Sequence, residues 1–225
     1  MPRRLTPLVN GEIYHIYNRG IDHRTTFLTP SDYKRAIFTL KYYQYKNIPG
    51  RLPYLNKYPF EQRSNILLDI YREGSKLSEI VAYVLMANHF HLVVRQVEDG
   101  GIRKLVGNFQ NSYTKYFNTK NKRDGALFLD QFKAVRVETE EQFKHVVRYI
   151  HLNPFSSYVV KNEKELIEYL WSSFPEYLGL EKDGFCDKKM VLGMYKNIES
   201  YKKFCLDQAD YQRGLESVKH LLMDI

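Results

Sequence analysis

The segment of residues 81–96, VAYVLMANHFHLVVRQ, constrains the fold of this 225-residue chain more than any other stretch. Two apolar, β-branched runs flank the polar pair at 87–88, which predicts a hairpin of two strands. Successive side chains of a strand point to opposite faces, so His89 and His91 share one face and Phe90 lies on the other. Two imidazoles side by side on a rigid strand supply half of a divalent metal site. A complete site would need a further ligand and a reactive group from elsewhere in the chain.

The apolar periodicity of the other segments alternates between strand and helix. In chain order, the predicted elements are strand 11–19, helix 32–46, short helix 64–73, hairpin strands within 81–96, helix 102–118, strand 127–137 and helix 139–152. Apart from the short helix, the order is βα, ββα and βα, which is a split βαβ pattern. It predicts an α+β protein whose antiparallel sheet carries two helices on one face and a third helix near its edge.

The composition divides the chain into two parts. We expect residues 1–158 to form one domain, interrupted by an insertion at about 47–78 in which Pro53 and Pro59 break regular structure. Beyond it the sequence becomes acidic and helical, which predicts a helical C-terminal extension over residues 159–225. Helices are predicted there at 188–201 and 206–223.

The net charge of +8 is concentrated in the predicted domain that carries the histidine pair. Residues 1–160 hold 24 basic and 14 acidic residues, whereas residues 161–225 hold 10 and 12. With 19 tyrosines interleaved, this basicity suits phosphate neutralisation and base stacking on a single-stranded nucleic acid. A solvated basic surface with half-buried tyrosines explains the composition equally well.

The sequence also predicts the compartment. It has no run of the roughly 18 apolar residues that span a membrane, and no apolar stretch follows its basic N-terminus as in an export signal. Cys186 and Cys205 lie far apart without a CxxC pairing, so neither a metal knuckle nor a disulfide framework is indicated. We expect a soluble, cytoplasmic protein with reduced thiols and no membrane partner.

A second set of polar side chains lies on the predicted helix 139–152 and at its end. His145, Tyr149 and Asn153 follow one another at four-residue spacing and therefore share one helix face. A phenol beside an amide, opposite two strand-borne imidazoles, is the arrangement expected for a tyrosine nucleophile that attacks a metal-bound phosphodiester. The metal would polarise the phosphate, and the tyrosine oxygen would take it covalently.

Each of these residues also has a purely structural interpretation. An H-x-H on a strand is by itself more often structural than metal-binding, and one tyrosine among 19 is usually a packing residue. Asn153 could merely cap the helix end before Pro154. His145 and His151 are expected to be surface groups or supports of the site rather than metal ligands.

Several motifs resemble the REP-associated tyrosine transposases, of the IS200-like family within the HUH single-tyrosine superfamily. They are VLMANHFH, RYIHLNP, YHIYNRG, YTKYFN and LFLDQFKAVRV, and the resemblance covers most of residues 11–160. It implies a ferredoxin-like sheet, His89 and His91 as metal ligands, Tyr149 as the nucleophile and Asn153 as an amide ligand. It also implies Mg²⁺ or Mn²⁺ as cofactor and single-stranded DNA, often beside a hairpin, as substrate.

Basic residues greatly outnumber acidic ones between positions 103 and 136, which predicts a path for the DNA backbone there. The alternative is a solvated helix face. The candidate DNA-binding residues, including those that flank the site, are Arg19, Lys115, Lys120, Lys122, Arg123, Lys133 and Arg148. Tyr113 and Tyr116 are expected in the core, with base stacking as the alternative.

The sequence thus predicts a single-tyrosine HUH transposase or endonuclease that cleaves and rejoins single-stranded DNA through a 5′-phosphotyrosine intermediate. We expect it to associate with the nucleoid as a monomer or homodimer. Two other interpretations stay open: a domesticated, non-catalytic regulator that binds DNA or RNA with the same basic sheet, and a protein whose histidines are only structural. The chemistry requires Tyr149 to lie close to the imidazoles, either within one chain or across a dimer.

Overall fold

The computed structural model of the chain describes residues 7–181 and 183–213. Its centre is a sheet of four strands, β1 (Ile13–Arg19), β2 (Ser78–Met86), β3 (His89–Gln96) and β4 (Lys133–Val137). The strands lie in the order β2-β3-β1-β4, and every neighbouring pair is antiparallel. This is the strand order of a ferredoxin-like split βαβ fold, so the predicted α+β class is confirmed.

Two helices cover one face of this sheet, as predicted. The first four helices of the chain are α1 (Pro30–Tyr43), α2 (Phe60–Glu73), α3 (Gly101–Asn121) and α4 (Glu140–Ser156). Helices α1 and α3 pack on the even-numbered side chains of β1 and β3, where Tyr14, Ile16 and Phe90 are fully buried. The backbone N–H of Thr29 donates to Asp32 Oδ2 at 2.9 Å, which caps the N-terminus of α1 two residues before the predicted start of this helix.

The opposite face of the sheet is covered by α4, which was predicted near the edge. Val147 and Ile150 of α4 pack with Val84 of β2 and Val93 of β3. The physical reason is in β2, whose side chains are buried on both faces along nearly its whole length. A strand that is apolar on both sides requires a second layer, and α4 provides it.

The C-terminal extension completes this second layer. Its helices are α5 (Glu163–Ile167), α6 (Phe174–Tyr177), α7 (Lys189–Leu192) and α8 (Ile198–Leu206). Leu166 and Tyr177 are fully buried in the same cluster as Val147 of α4. The fully buried His151 of α4 hydrogen-bonds through Nδ1 to Tyr201 Oη at 2.6 Å and through Nε2 to Ser173 Oγ at 2.8 Å. The division of the chain at residue 158 stays a prediction, because one core continues across it.

Several element boundaries differ from the prediction. Helix α2 begins earlier, at Phe60, and the helix predicted at 188–201 is two short ones, α7 and α8. Residues 209–213 are helical, and the rest of the helix predicted at 206–223 lies outside the described residues. None of the helices described here combines the length and the apolarity needed to cross a membrane.

Two of these differences affect the candidate site. The strand predicted at 127–137 is regular only from Lys133, because Leu127 and Phe128 are apolar for burial in the α1 and α3 core. Helix α4 continues through Pro154 instead of ending at residue 152. The proline costs one backbone hydrogen bond, and the burial of Pro154 and Phe155 offsets that loss.

Candidate functional site

The histidine pair lies on the face of the sheet that α4 covers. The rings of His89 and His91 have centroids 5.1 Å apart, and Phe90 is buried in the opposite core, as strand alternation predicts. His91 is 9% exposed, and His89 is half-buried. His89 Nδ1 lies 2.7 Å from Asn88 Oδ1. Since an amide oxygen only accepts, Nδ1 of His89 carries the proton and Nε2 is the nitrogen that a metal would take.

A third histidine, His15 of β1, orients the second ring. Its Nε2 lies 2.9 Å from His91 Nδ1, and the two rings stack with centroids 5.1 Å apart. Burial lowers the pKa of His15 to about 4, so His15 is neutral at pH 7 and can accept this hydrogen bond. With Nδ1 of His91 as donor, both strand histidines present Nε2 as the nitrogen for a metal.

His15 was not among the site residues predicted from the sequence. The signal was its alternation with Tyr17, which shares its face and lies opposite His91 in the β1–β3 register. This alternation indicates a role for His15 only when β1 is known to pair with β3. The pairing is a long-range contact between segments some 75 residues apart, which local periodicity does not reveal.

Tyr149 of α4 lies against these rings within one chain. Its ring meets His91 edge-on, with centroids 5.6 Å apart and an interplanar angle of 88°, and its centroid is 6.1 Å from that of His15. A cavity of about 360 Å³ lies beside it, between β4 and α4, with Val135 and His145 in its wall. The arrangement brings the phenol of Tyr149 next to the two strand histidines, and the neighbouring cavity is lined by His15 and Tyr149.

Asn153 lies one helical turn after Tyr149 and is 2% exposed. Its Oδ1 is buried and accepts no hydrogen bond from the described residues. The helix has Ser157 as its C-cap, so the side chain of Asn153 does not perform the capping role considered above. A buried amide oxygen without a donor is destabilising unless a cation or water satisfies it.

These groups fit a divalent cation by donor chemistry. In the part of the chain that the structure describes, no three His, Cys, Asp or Glu side chains are grouped to hold a metal. An ion here would therefore have the imidazoles of His89 and His91, with the Asn153 amide oxygen as the third protein group. Imidazole and oxygen donors suit Mn²⁺ and accept Mg²⁺, with substrate oxygens and water as further ligands.

The two remaining helix histidines lie where they were expected, away from the strand pair. His145 is exposed, with Nε2 2.5 Å from Glu141 Oε1 and Nδ1 2.6 Å from an Arg148 nitrogen. His151 is buried against the C-terminal extension, and burial lowers its pKa to about 3. Both rings are engaged in packing or surface contacts of α4.

The predicted DNA-binding residues fall into two groups on opposite sides of the sheet. Arg19, Lys133 and Arg148 lie near the candidate site: Lys133 pairs with Tyr17 in the β1–β4 register, and Arg148 precedes Tyr149. Arg19 contacts the ring of His23, and Arg148 lies over Phe204 at 4.5 Å.

The other group, Lys115, Lys120, Lys122 and Arg123, lies along α3 and just after it. Lys120 Nζ is bound to Asp32 Oδ1 at 2.6 Å, and Arg123 donates to Asn118 Oδ1 at 2.7 Å. Tyr113 is fully buried in the core, as expected, whereas Tyr116 is partly exposed and donates to Asp32 Oδ1 at 3.0 Å. The two groups are separated by the sheet, so a single straight strand does not contact both.

Comparison with known proteins finds one similar family. The model of the family described as "Transposase IS200 like" matches residues 51–153, which include the hairpin, Tyr149 and Asn153. The match begins inside the predicted insertion, so it includes a segment that the resemblance left out. No curated protein matches the sequence.

A solved structure of a REP-associated tyrosine transposase bound to a REP hairpin shares the fold. The two chains have 17% sequence identity and a TM-score of 0.51, and the superposition covers 84% of this chain and 93% of the other. The ferredoxin-like sheet with its helical extension is therefore an architecture that a known transposase has. Over residues 51–153, the chain resembles the IS200-like transposase family.

Proposed function

We propose that this protein is a transposase that cleaves and rejoins single-stranded DNA through a covalent bond to Tyr149, as a single-tyrosine HUH enzyme. One observation carries the proposal: the Tyr149 ring lies 5.6 Å from the ring of His91, on the sheet face where His89 also lies. The similarity of residues 51–153 to a transposase family supports strand transfer as the reaction class. The proximity of the groups within one chain supports a site that a monomer completes.

His89 and His91 would hold a Mg²⁺ or Mn²⁺ ion through Nε2, and Asn153 would add its amide oxygen. The bound ion would polarise the scissile phosphate and offset the charge that develops on its oxygens. The protein's own contribution is orientation. Asn88 and His15 fix the two imidazole rings by their hydrogen bonds to Nδ1, so the ligand nitrogens point in a set direction.

In the cleavage step the phenolic oxygen of Tyr149 attacks the phosphorus. The oxygen–phosphorus bond to tyrosine forms as the bond to the 3′ oxygen breaks, leaving a 5′-phosphotyrosine and a free 3′ hydroxyl. The phenol loses one proton and the leaving oxygen gains one. Rejoining is the reverse attack by a 3′ hydroxyl, and the phosphotyrosine bond conserves the energy that it needs.

The substrate that we propose is single-stranded DNA beside a hairpin. The fold is shared with a transposase whose structure contains a REP hairpin, and the basic residues on both sides of the sheet supply phosphate contacts. We infer that the protein works in the cytoplasm on nucleoid DNA.

The experiment is to incubate the protein with hairpin-flanked single-stranded DNA and Mn²⁺ and to separate the products under denaturing conditions. We expect wild type to give a protein–DNA adduct and Tyr149→Phe to give none. Tyr158→Phe is the matched control, because Tyr158 is 59% exposed just beyond α4, and it should retain the adduct. An adduct with Tyr149→Phe would refute the nucleophile, and tight binding without any adduct would favour the non-catalytic regulator.

A further inference from the structure

A cavity of about 830 Å³ lies on the far side of the sheet from Tyr149. It is enclosed by α1, α3 and the 3-10 segment Leu52–Lys57. The wall residues that matter here are Arg35, Arg51, Tyr54, Lys115, Tyr116 and Lys120. The cleavage chemistry proposed for Tyr149 makes no use of this space.

The wall of the cavity is positively charged. It contains four cationic side chains and no carboxylate, and Lys120 alone among them pairs with a carboxylate of the described residues, Asp32. Arg35 is half-buried, and its Nε is buried without a hydrogen-bond partner among the described residues. Burial lowers the pKa of Arg35, which shows that its charge is held at a cost in solvation. An anion in the cavity would offset that cost and accept the Nε–H.

Aromatic rings stand beside these cations. The Arg35 guanidinium lies 5.5 Å from the centre of the Tyr116 ring, and Tyr54 is 49% exposed on the opposite wall. A phosphate needs cations, and a base needs an aromatic face, so this combination suits a nucleotide. The volume lies within the range of about 300–1,000 Å³ that is typical of small-ligand sites.

A second groove extends the cavity along α3. It has a volume of about 590 Å³, shares Asn111, Lys115 and Thr119 with the cavity, and continues to Lys122 and Arg123. The cavity and the groove together form a track lined by six cationic side chains and one carboxylate, Asp124, and a track of this length fits a strand better than a free nucleotide. We propose that the cavity and this groove bind a single-stranded segment of the DNA, on the side of the sheet opposite the cleavage site. The proposal rests on DNA as the substrate in the proposed function, and adds a second binding site to it.

The test measures the affinity of labelled single-stranded DNA at several salt concentrations, with EDTA present so that metal-dependent cleavage does not occur. Arg51→Ala/Lys115→Ala removes two exposed cations of the track. We expect it to weaken binding at least tenfold and to reduce the slope of log K against log salt by about 1–2. Tyr54→Ala should weaken binding about tenfold with an unchanged slope, because it removes stacking and no charge.

The matched control is Lys34→Ala/Lys164→Ala, which removes two exposed lysines outside the cavity and should leave affinity and slope at the wild-type values. Equal binding by wild type and Arg51→Ala/Lys115→Ala would overturn the proposal. So would a mononucleotide that competes as well as the strand, since the cavity would then be a free-nucleotide site. The binding result does not depend on Tyr149. If the cavity variants bind DNA more weakly but wild type forms no adduct, only the proposed cleavage chemistry is refuted. If wild type forms the adduct but the cavity variants bind DNA as wild type does, only this second binding site is refuted.

Discussion

At the scale of single residues, the candidate site depends on a hydrogen bond between two histidines. His15 contributes no ligand to the proposed metal, yet its Nε2 lies 2.9 Å from His91 Nδ1 and determines which nitrogen of His91 faces the ion. Groups that orient metal-binding histidines are typically worth about 10- to 100-fold in metal affinity. His15 is therefore a positioning residue for the ring of His91.

We predict that His15→Ala lowers the affinity of the DNA-free protein for Mn²⁺ by about 10- to 100-fold, measured by isothermal titration calorimetry. His15→Gln should retain more affinity than His15→Ala, because its amide oxygen can still accept from His91. The control is His145→Ala, an exposed histidine on α4 that should bind Mn²⁺ as wild type does. Wild-type Mn²⁺ affinity in His15→Ala would show that His15 only packs.

The candidate residues differ in how far the sequence could predict them. His89 and His91 follow from strand alternation, and Tyr149 and Asn153 follow from helical spacing, since both are local patterns. The buried Oδ1 of Asn153 depends on α4 continuing past Pro154, which the rule for residues before proline predicted wrongly. The role of His15 could be predicted only with knowledge of the strand order.

At the scale of elements, the C-terminal helices are part of the core rather than an attachment to it. Leu166 of α5 is fully buried in the cluster that contains Val147 of α4. Helix α4 carries Tyr149, so the packing of α5 against it also supports the position of the proposed nucleophile.

We expect Leu166→Ala to lower the free energy of unfolding by about 2–5 kcal/mol, through lost burial and the cavity left behind. Leu170→Ala is the matched control, since Leu170 is 59% exposed, and it should change stability by less than about 0.5 kcal/mol. Urea denaturation followed by circular dichroism gives both values. Similar small losses in the two variants would mean that α5 contributes little to the core.

The buried hydrogen bond between His151 of α4 and Tyr201 of α8 predicts that the stability of the protein depends on pH. Burial lowers the pKa of His151 to about 3 from 6.5, so between these values the unfolded chain binds more protons than the folded chain. The contribution of His151 to stability is complete above about pH 6.5 and is lost as the pH falls toward about 3, by at most about 1.4 kcal/mol per pH unit.

Denaturation curves at about pH 7 and about pH 5 test this. The loss of stability on acidification should be smaller in His151→Gln than in wild type, because glutamine does not titrate. The comparison is between slopes, so a general destabilisation of the variant does not affect it. If wild type and His151→Gln lose the same stability on acidification, groups other than His151 cause the acid sensitivity.

Local sequence patterns did not predict all boundaries of the strands and helices correctly. A run of apolar residues at 127–137 predicted one long strand, although Leu127 and Phe128 are apolar because they enter the core from an irregular segment. In contrast, the hairpin was predicted with its turn and its end at residue 96 correct, and only the start of β2 lies three residues earlier, at Ser78.

At the scale of the whole molecule, the sheet separates two basic surfaces. Lys133 lies exposed on β4 beside the proposed cleavage site, whereas the cavity of Arg35 and Lys115 lies behind the sheet. A DNA that contacts both must turn around the edge of the sheet, which a flexible single strand beside a hairpin can do.

We predict that Lys133→Ala weakens DNA binding similarly for all sequences and lowers the magnitude of the salt slope by about 1, because it removes one phosphate contact. Lys202→Ala serves as the control, since Lys202 lies on α8 and pairs with Glu163 at 2.9 Å. Fluorescence anisotropy over a range of salt concentrations measures the slopes. An unchanged slope in Lys133→Ala would remove β4 from the DNA path.

The composition shift near residue 158 predicted two parts of the chain, and the sheet explains why they pack as one. Strand β2 is apolar on both faces, so its second face needs the helices that the acidic C-terminal sequence provides. Net charge is determined mainly by solvent-exposed residues, so it does not reveal which buried surfaces pack against each other.

The central claim is that Tyr149 takes the phosphate, and locating the DNA on the chain tests it most directly. The adduct formed with hairpin-flanked DNA and Mn²⁺ would be digested with nuclease and trypsin and fragmented by mass spectrometry. Cleavage after Arg148 and Lys161 gives a peptide that contains Tyr149 and Tyr158, and fragmentation distinguishes them. We expect the nucleotide on Tyr149, and a nucleotide on any other residue would refute Tyr149 as the nucleophile.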